Sequence, residues 1–269
     1  MPQLIEPEPS WHPEDIWNCL HMPYIDVDDM AHVVGQMELR LHEDGGRTQQ
    51  LLDNHLFRQW MGRGGSSRLL VHGEYQPPHD VSPLSVLCTI LSYTFRDPGV
   101  PRTIGLVFFC GRHQKWDMFQ GASALIRSLI AQLMTQFGFG SIPASPDIHL
   151  KDIEGEDLDK LCEPFSILVR KLPSNMRIFC LIDGISLYEN DIFLHEMSTA
   201  VMSLVRMADQ LLGRHEPTFK LLITSPQPTR EVRRVFSDPN TLVHMKSFPN
   251  AGSNMRVPSM QNHLRSGMN

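Results

Sequence analysis

The sequence predicts an α/β protein: a mostly parallel sheet of about five strands with helices on both faces, preceded by an α-helical N-terminal segment. Three observations carry this. Short apolar runs recur over residues 63–248: Leu69-Leu70-Val71, Ile104 to Cys110, Arg177 to Asp183, Phe219 to Thr224 and Thr241 to Met245. Helical patterns separate them, so consecutive strands are joined by crossovers and lie parallel. The runs are continuous rather than alternating, which is how strands covered on both faces read.

Taken in order, residues 1 to about 14 are rich in Pro and Glu and are expected to be loose, at the start of an N-terminal helical segment spanning 1–62. Pro13 to Leu20 can start a short helix. A stronger pattern runs from Asp28 to about His42, with Met30, Val33, Val34, Met37 and Leu41 at spacings of three and four. Asp44-Gly45-Gly46 is expected to end it. Leu51, Leu52, Leu56, Phe57 and Trp60 form a further amphipathic segment, and Gly62 to Ser66 a flexible joint. Aromatics at helical spacing are core more often than a ligand face, and Phe57 and Trp60 are read so.

Ser82-Pro83 is a helix start, with Ser as N-cap and Pro at the first helical position. The helix it opens, Leu84 to Phe95, is apolar nearly all round and is expected to be buried on most sides. Long helices are expected over Phe119 to Phe137, Asp157 to Leu172 and Ile192 to Leu212. A two-proline loop covers Gly138 to Lys151, Val232 to Phe236 makes a short helix, and a disordered tail is expected over 249–269.

Composition narrows the function. A formal net charge of -6 argues against general binding to nucleic acid or anionic membrane. The five cysteines, Cys19, Cys88, Cys110, Cys162 and Cys180, form no C-x-x-C and several lie in apolar segments, as reduced core thiols do. No apolar run reaches the roughly 20 residues of a membrane helix, and the N-terminus lacks the basic start and apolar stretch of a leader. A soluble cytoplasmic protein with protein partners is expected.

Ser67 to Ser85 has the outline of a phosphate-binding loop: an apolar strand ending in Gly73, a loop, then a capped helix. In G-x-x-x-x-G-K-[ST] the glycines let backbone N–H groups converge on phosphates, the Lys reaches the terminal phosphates, and the hydroxyl holds Mg²⁺. Counted from Gly73, the last three positions are Pro78, His79 and Asp80. Pro77 and Pro78 have no N–H to donate, and Asp80 places negative charge where a phosphate belongs.

Several segments in order carry a resemblance: the helix ending near Trp60, the strand LLVHG, SPLS opening a helix, FFCG followed by His113, LIRSLIAQLM, LCEPF, CLIDGIS and FKLLITSP. Together they resemble the P-loop module of STAND-type NTPases, closest to the NACHT-like, nephrocystin-like N-terminal modules common in fungal proteins. The resemblance covers about residues 50 to 248 and implies a P-loop NTPase-like three-layer sandwich and a nucleotide switch. It assigns Asp183 to the Walker B aspartate that holds Mg²⁺, Gly184 to the Gly that follows it, and Thr224-Ser225 to the sensor strand. It also implies an acidic pair after Asp183 and an Arg after the sensor strand. Here those places hold Ser186, Leu187 and Pro226, and the nearest carboxylate is Glu189.

Phosphoryl transfer is almost all positioning and charge neutralisation, so the missing groups remove most of the machinery. Losing the Lys and two backbone donors costs about 3–6 kcal/mol, or roughly two to four decades of affinity. Two function classes follow, with no catalytic residue in either. One is a non-catalytic module with a degenerate Walker A, acting through protein contacts. The other is a nucleotide-binding switch with weak or no hydrolysis, taking ATP or GTP with Mg²⁺ through Gly73, His79, Asp80, Ser82, Ser85, Asp183 and Thr224, with Asp183 as the metal ligand. A truncated remnant without activity is the third reading. Asp183 has a bland reading too, as a buried carboxylate ordering the next loop. Arg230, Arg233 and Arg234 read as a solvated basic face. The thirteen histidines lack H-x-H or H-E-x-x-H spacing, which argues against zinc.

Overall fold

A computed structural model describes residues 10–62, 64–75, 80–145, 147–155, 157–213 and 215–248, apart from the side chains of residues 43–45. The tail over 249–269, and Pro77, Pro78 and His79 of the loop, lie outside the described residues.

The sheet is built from β2 (Ser67–His72), β3 (Thr103–Phe109), β5 (Arg177–Asp183), β6 (Thr218–Ser225) and β7 (Leu242–His244). Its order is β3-β5-β6-β2-β7 and every pairing is parallel. All five carboxyl ends therefore point to one edge. The pleat then sorts side chains to two faces. Ile178, Cys180 and Ile182 of β5 face one core, while Phe179 and Leu181 face the other.

The second core is capped by α2 (Ile25–Asp53), α3 (His55–Gly62) and α4 (Pro83–Phe95), and the first by α1 (Pro13–Leu20), α5 (Gly121–Gln136), α7 (Leu158–Lys171) and α8 (Leu194–Gln210). Phe57 and Trp60 are core, as expected: Trp60 meets Phe179 edge-on at 5.8 Å, and Phe179 stacks on Phe95 at 3.7 Å. The start of α4 is also as read, with Ser82 as cap and Pro83 in the first turn.

Three local expectations are corrected. Asp44-Gly45-Gly46 does not end a helix, because α2 runs unbroken to Asp53. Two glycines weaken a helix by about 1 kcal/mol each. Burial of Leu41, Leu51 and Leu52 in the core shared with α4 returns roughly 1.5–3 kcal/mol per side chain. Second, the start of the described chain is not wholly loose: β1 (Ser10–Trp11) pairs antiparallel with β4 (Ile142–Pro143). Trp11 and Ile142 enter the core there, so a non-local pairing orders segments that have no period of their own. Third, the loop before Lys151 contains β4 and gives way at Leu150 to a short helix, α6 (Leu150–Glu154).

Candidate functional site

The carboxyl ends of β5, β6 and β2 are neighbours in the sheet, and the first turn of α4 lies against them. Asp183 and Thr224 project to the α4 side because they are in phase with Leu181 and Leu222. Ser85 comes from the third residue of α4. These three meet: the Ser85 hydroxyl donates to Asp183 Oδ2 at 2.6 Å, and the Thr224 hydroxyl donates to Oδ1 at 2.5 Å. Asp183 is buried, and burial pushes its carboxyl up to about 6 against the pull of the two hydroxyls and the Gly184 N–H. Burial also raises the thiols of Cys88 and Cys110, and the nearby Asp183 charge adds to it.

At the start of α4 the donors are already in use. Pro83 has no N–H. The Ser82 hydroxyl accepts from the N–H of Leu84 and of Ser85 at 3.2 and 3.3 Å, while the Ser85 hydroxyl accepts from Ser82 N–H at 2.9 Å. The Val86 N–H donates to the Ser82 carbonyl at 3.2 Å. This capping box satisfies the groups that a helix N-terminus otherwise offers to an anion.

Gly73, just after β2, lies under a ring rather than under open space. A Cβ added there would lie 2.3 Å from Tyr75 Cε2 and 3.0 Å from Leu84 Cδ1. Tyr75 is buried, and the Arg47 guanidinium of α2 covers its ring at 4.8 Å while donating to the Gly73 carbonyl at 2.9 Å. Arg47 and Tyr75 were not legible as partners of the loop, since contacts between distant segments leave no local pattern.

The count along the loop is also corrected. The helix turn that faces Asp183 presents Leu84 and Ser85, five residues beyond His79 and Asp80. Asp80 is exposed, 3.9 Å from Arg112, and its carbonyl lies against Gly111, where a Cβ would come within 2.1 Å of it. The fixed register of a Gly-counted motif fails because this loop is longer than the motif. Of the sequence-derived residues, Ser82, Ser85, Asp183 and Thr224 converge, Gly73 lies beside Leu84, and Asp80 stands apart.

Glu189, the first carboxylate after Asp183, is occupied elsewhere. Its two oxygens accept from the N–H of Arg230 at 2.7 Å and of Val232 at 2.9 Å, capping α9 (Glu231–Arg234). His113 bridges two carboxylates, Asp29 of α2 at 2.7 Å and Asp117 at 2.8 Å. Burial opposes its charge, but the two carboxylates prevail and raise its pKa. Among the described residues no group of three or more His, Cys, Asp and Glu is arranged to hold a metal ion, and no helix is long and apolar enough to cross a membrane.

A five-stranded parallel sheet between two helical layers, with a buried aspartate at the carboxyl end of a central strand beside a capped helix, defines a P-loop-like three-layer α/β protein. The family model for the N-terminal region of nephrocystin 3 matches residues 46–226, and the chain belongs to that family. No curated protein and no solved structure matches it.

Proposed function

We propose that this chain is a non-catalytic STAND- or NACHT-like P-loop module of the cytoplasm that keeps its fold for protein contacts and has given up nucleotide turnover. The observation that carries this reading is the closure of Asp183 by Ser85 and Thr224, each oxygen holding one hydroxyl. Mg²⁺ in a working site is held by the loop hydroxyl and the Walker B aspartate, and a Lys neutralises the phosphates. Here the residue before the hydroxyl is Leu84, fully buried beside Tyr75 and Gly73. The helix donors that phosphates need are consumed by Ser82. Both oxygens of Glu189 are taken up in capping α9.

The test is thermal unfolding with and without millimolar Mg-ATP, Mg-ADP and Mg-GTP. A ligand at a hundred times its Kd adds about 2.7 kcal/mol, several degrees for a chain of this size. No shift is expected. A shift abolished by Asp183→Asn would overturn the proposal.

A second reading, a weak nucleotide switch, is favoured by one feature. Ser85 and Asp183 face each other as the two Mg²⁺ ligands of a P-loop do. The same melting experiment decides between them.

A further inference from the structure

A second site is formed by α9 and β7, at the carboxyl edge of the sheet where His244 pairs with His72 of β2. Arg230, Arg233 and Arg234 line one depression of about 580 Å³ together with His244, Phe236 and Leu242. In a chain of net charge -6 this is a local concentration of positive charge, not a sample of the whole surface. Like charges three and four residues apart repel. Arg234 is paired with Glu231, and among the described residues no carboxylate pairs with Arg230 or Arg233. Glu189 spends both oxygens on the backbone N–H groups of Arg230 and Val232. Glu74 lies 3.6 Å from His244 and 3.9 Å from Lys246.

Behind His244 is a second, independent feature. His72 is fully buried, with its ring edge-on to His244 at 5.1 Å. Its Nε2 lies 2.9 Å from the Thr229 hydroxyl and 3.3 Å from the Thr229 N–H. The Nδ1 has no hydrogen-bond partner. Burial lowers the His72 pKa to about 4, with further lowering from His244 and Arg233. Behind His244, a lining residue of the depression, therefore stands a buried neutral ring with one nitrogen unmatched.

We propose that this depression binds a small phosphate monoester whose ester group is apolar. The guanidinium groups of Arg230 and Arg233 fork onto phosphate oxygens, as planar guanidinium does, and the carbon part rests on Phe236 and Leu242. The site is independent of Asp183 and of any nucleotide at the P-loop.

The experiment is calorimetric titration of the purified chain with phenyl phosphate, beside inorganic phosphate and a tyrosine-phosphorylated peptide, at about 0.15 M salt. Saturable binding of phenyl phosphate is expected, tighter than inorganic phosphate. Arg230→Ala and Arg233→Ala, both at exposed side chains, should each weaken it about tenfold or more, and Arg234→Ala should weaken it less. Asp183→Asn should leave it unchanged, which separates this site from the fate of the P-loop reading. Absence of binding would overturn the proposal, as would affinity indifferent to both arginines. Equal affinity for inorganic phosphate would reduce the site to general ionic attraction and overturn it too. A phosphopeptide bound at least tenfold more tightly than phenyl phosphate would overturn the small-molecule assignment in favour of a protein ligand.

Discussion

Ser85 donates its hydroxyl to Asp183 across 98 residues of sequence, at 2.6 Å and away from water. The bond ties the first turn of α4 to the carboxyl end of β5, and Thr224 ties β6 to the same carboxylate. Three elements are held by one side chain.

Removing either hydroxyl leaves a buried carboxylate oxygen unmatched. Ser85→Ala and Thr224→Val should each destabilise the fold by about 1–3 kcal/mol, read as a lower urea midpoint at pH 7. Asp183→Asn keeps an acceptor and a donor facing the two hydroxyls and removes the buried charge. It should be neutral or stabilising at pH 7, read as an equal or higher urea midpoint.

Stability against pH should show two opposed contributions. Asp183 has its folded pKa raised to about 6, so between about 4 and 6 the folded state holds a proton that the unfolded chain has released. Its contribution is present below about 3.9 and is lost as pH rises to 6. His72, lowered to about 4, acts in reverse: the unfolded chain takes up a proton below about 6.5 that the folded state refuses, so stability rises with pH through this window. In Asp183→Asn the first slope disappears, and stability should climb more steeply from pH 4 to 6.5 than in the parent chain. Urea titrations at four pH values measure it.

His113 governs the alkaline side. Its pKa is raised by Asp29 and Asp117 in spite of burial. The stabilisation is fully present below about 6.5 and is lost as pH rises through the folded value. His113→Gln should be less stable than the parent at pH 6, and the gap should narrow by pH 9.

Trp116 has φ 78 and is 86% exposed, beside Met118 at 86%. Left-handed backbone strains a residue with a Cβ by roughly 1–2 kcal/mol. The surrounding loop is fixed by Tyr188, which donates to the His113 carbonyl at 2.7 Å. Trp116→Gly should raise the unfolding midpoint or leave it unchanged.

Glu189→Ala should fray α9, at about 1 kcal/mol for a lost cap, with no change in any nucleotide effect. Amide exchange at Val232 reports it directly.

Local signals were enough for the α/β class, the five sheet strands and the Ser82-Pro83 helix start, because apolar runs, helical spacing and capping chemistry are all written within a few residues. Asp183 at a strand end was legible for the same reason. The continuation of α2 through Gly45 and Gly46, and the pairing of Ser10–Trp11 with Ile142–Pro143, were not. Each depends on burial against a partner far away in sequence. The loop between Gly73 and Ser85 shows the boundary most clearly. Its outline of strand, loop and capped helix was legible, but counting from Gly73 does not reach Ser85, which bonds to Asp183. Only the packing of α4 on the sheet decides that the turn of Leu84 and Ser85 faces Asp183, that Tyr75 and Arg47 close over Gly73, and that Glu189 serves α9. Sequence alone determined the α/β class, the five sheet strands and the capped start of α4. Tertiary structure decided which side chains meet, because a hydrogen bond between residues 98 apart depends on how helices and strands pack, not on spacing along the chain.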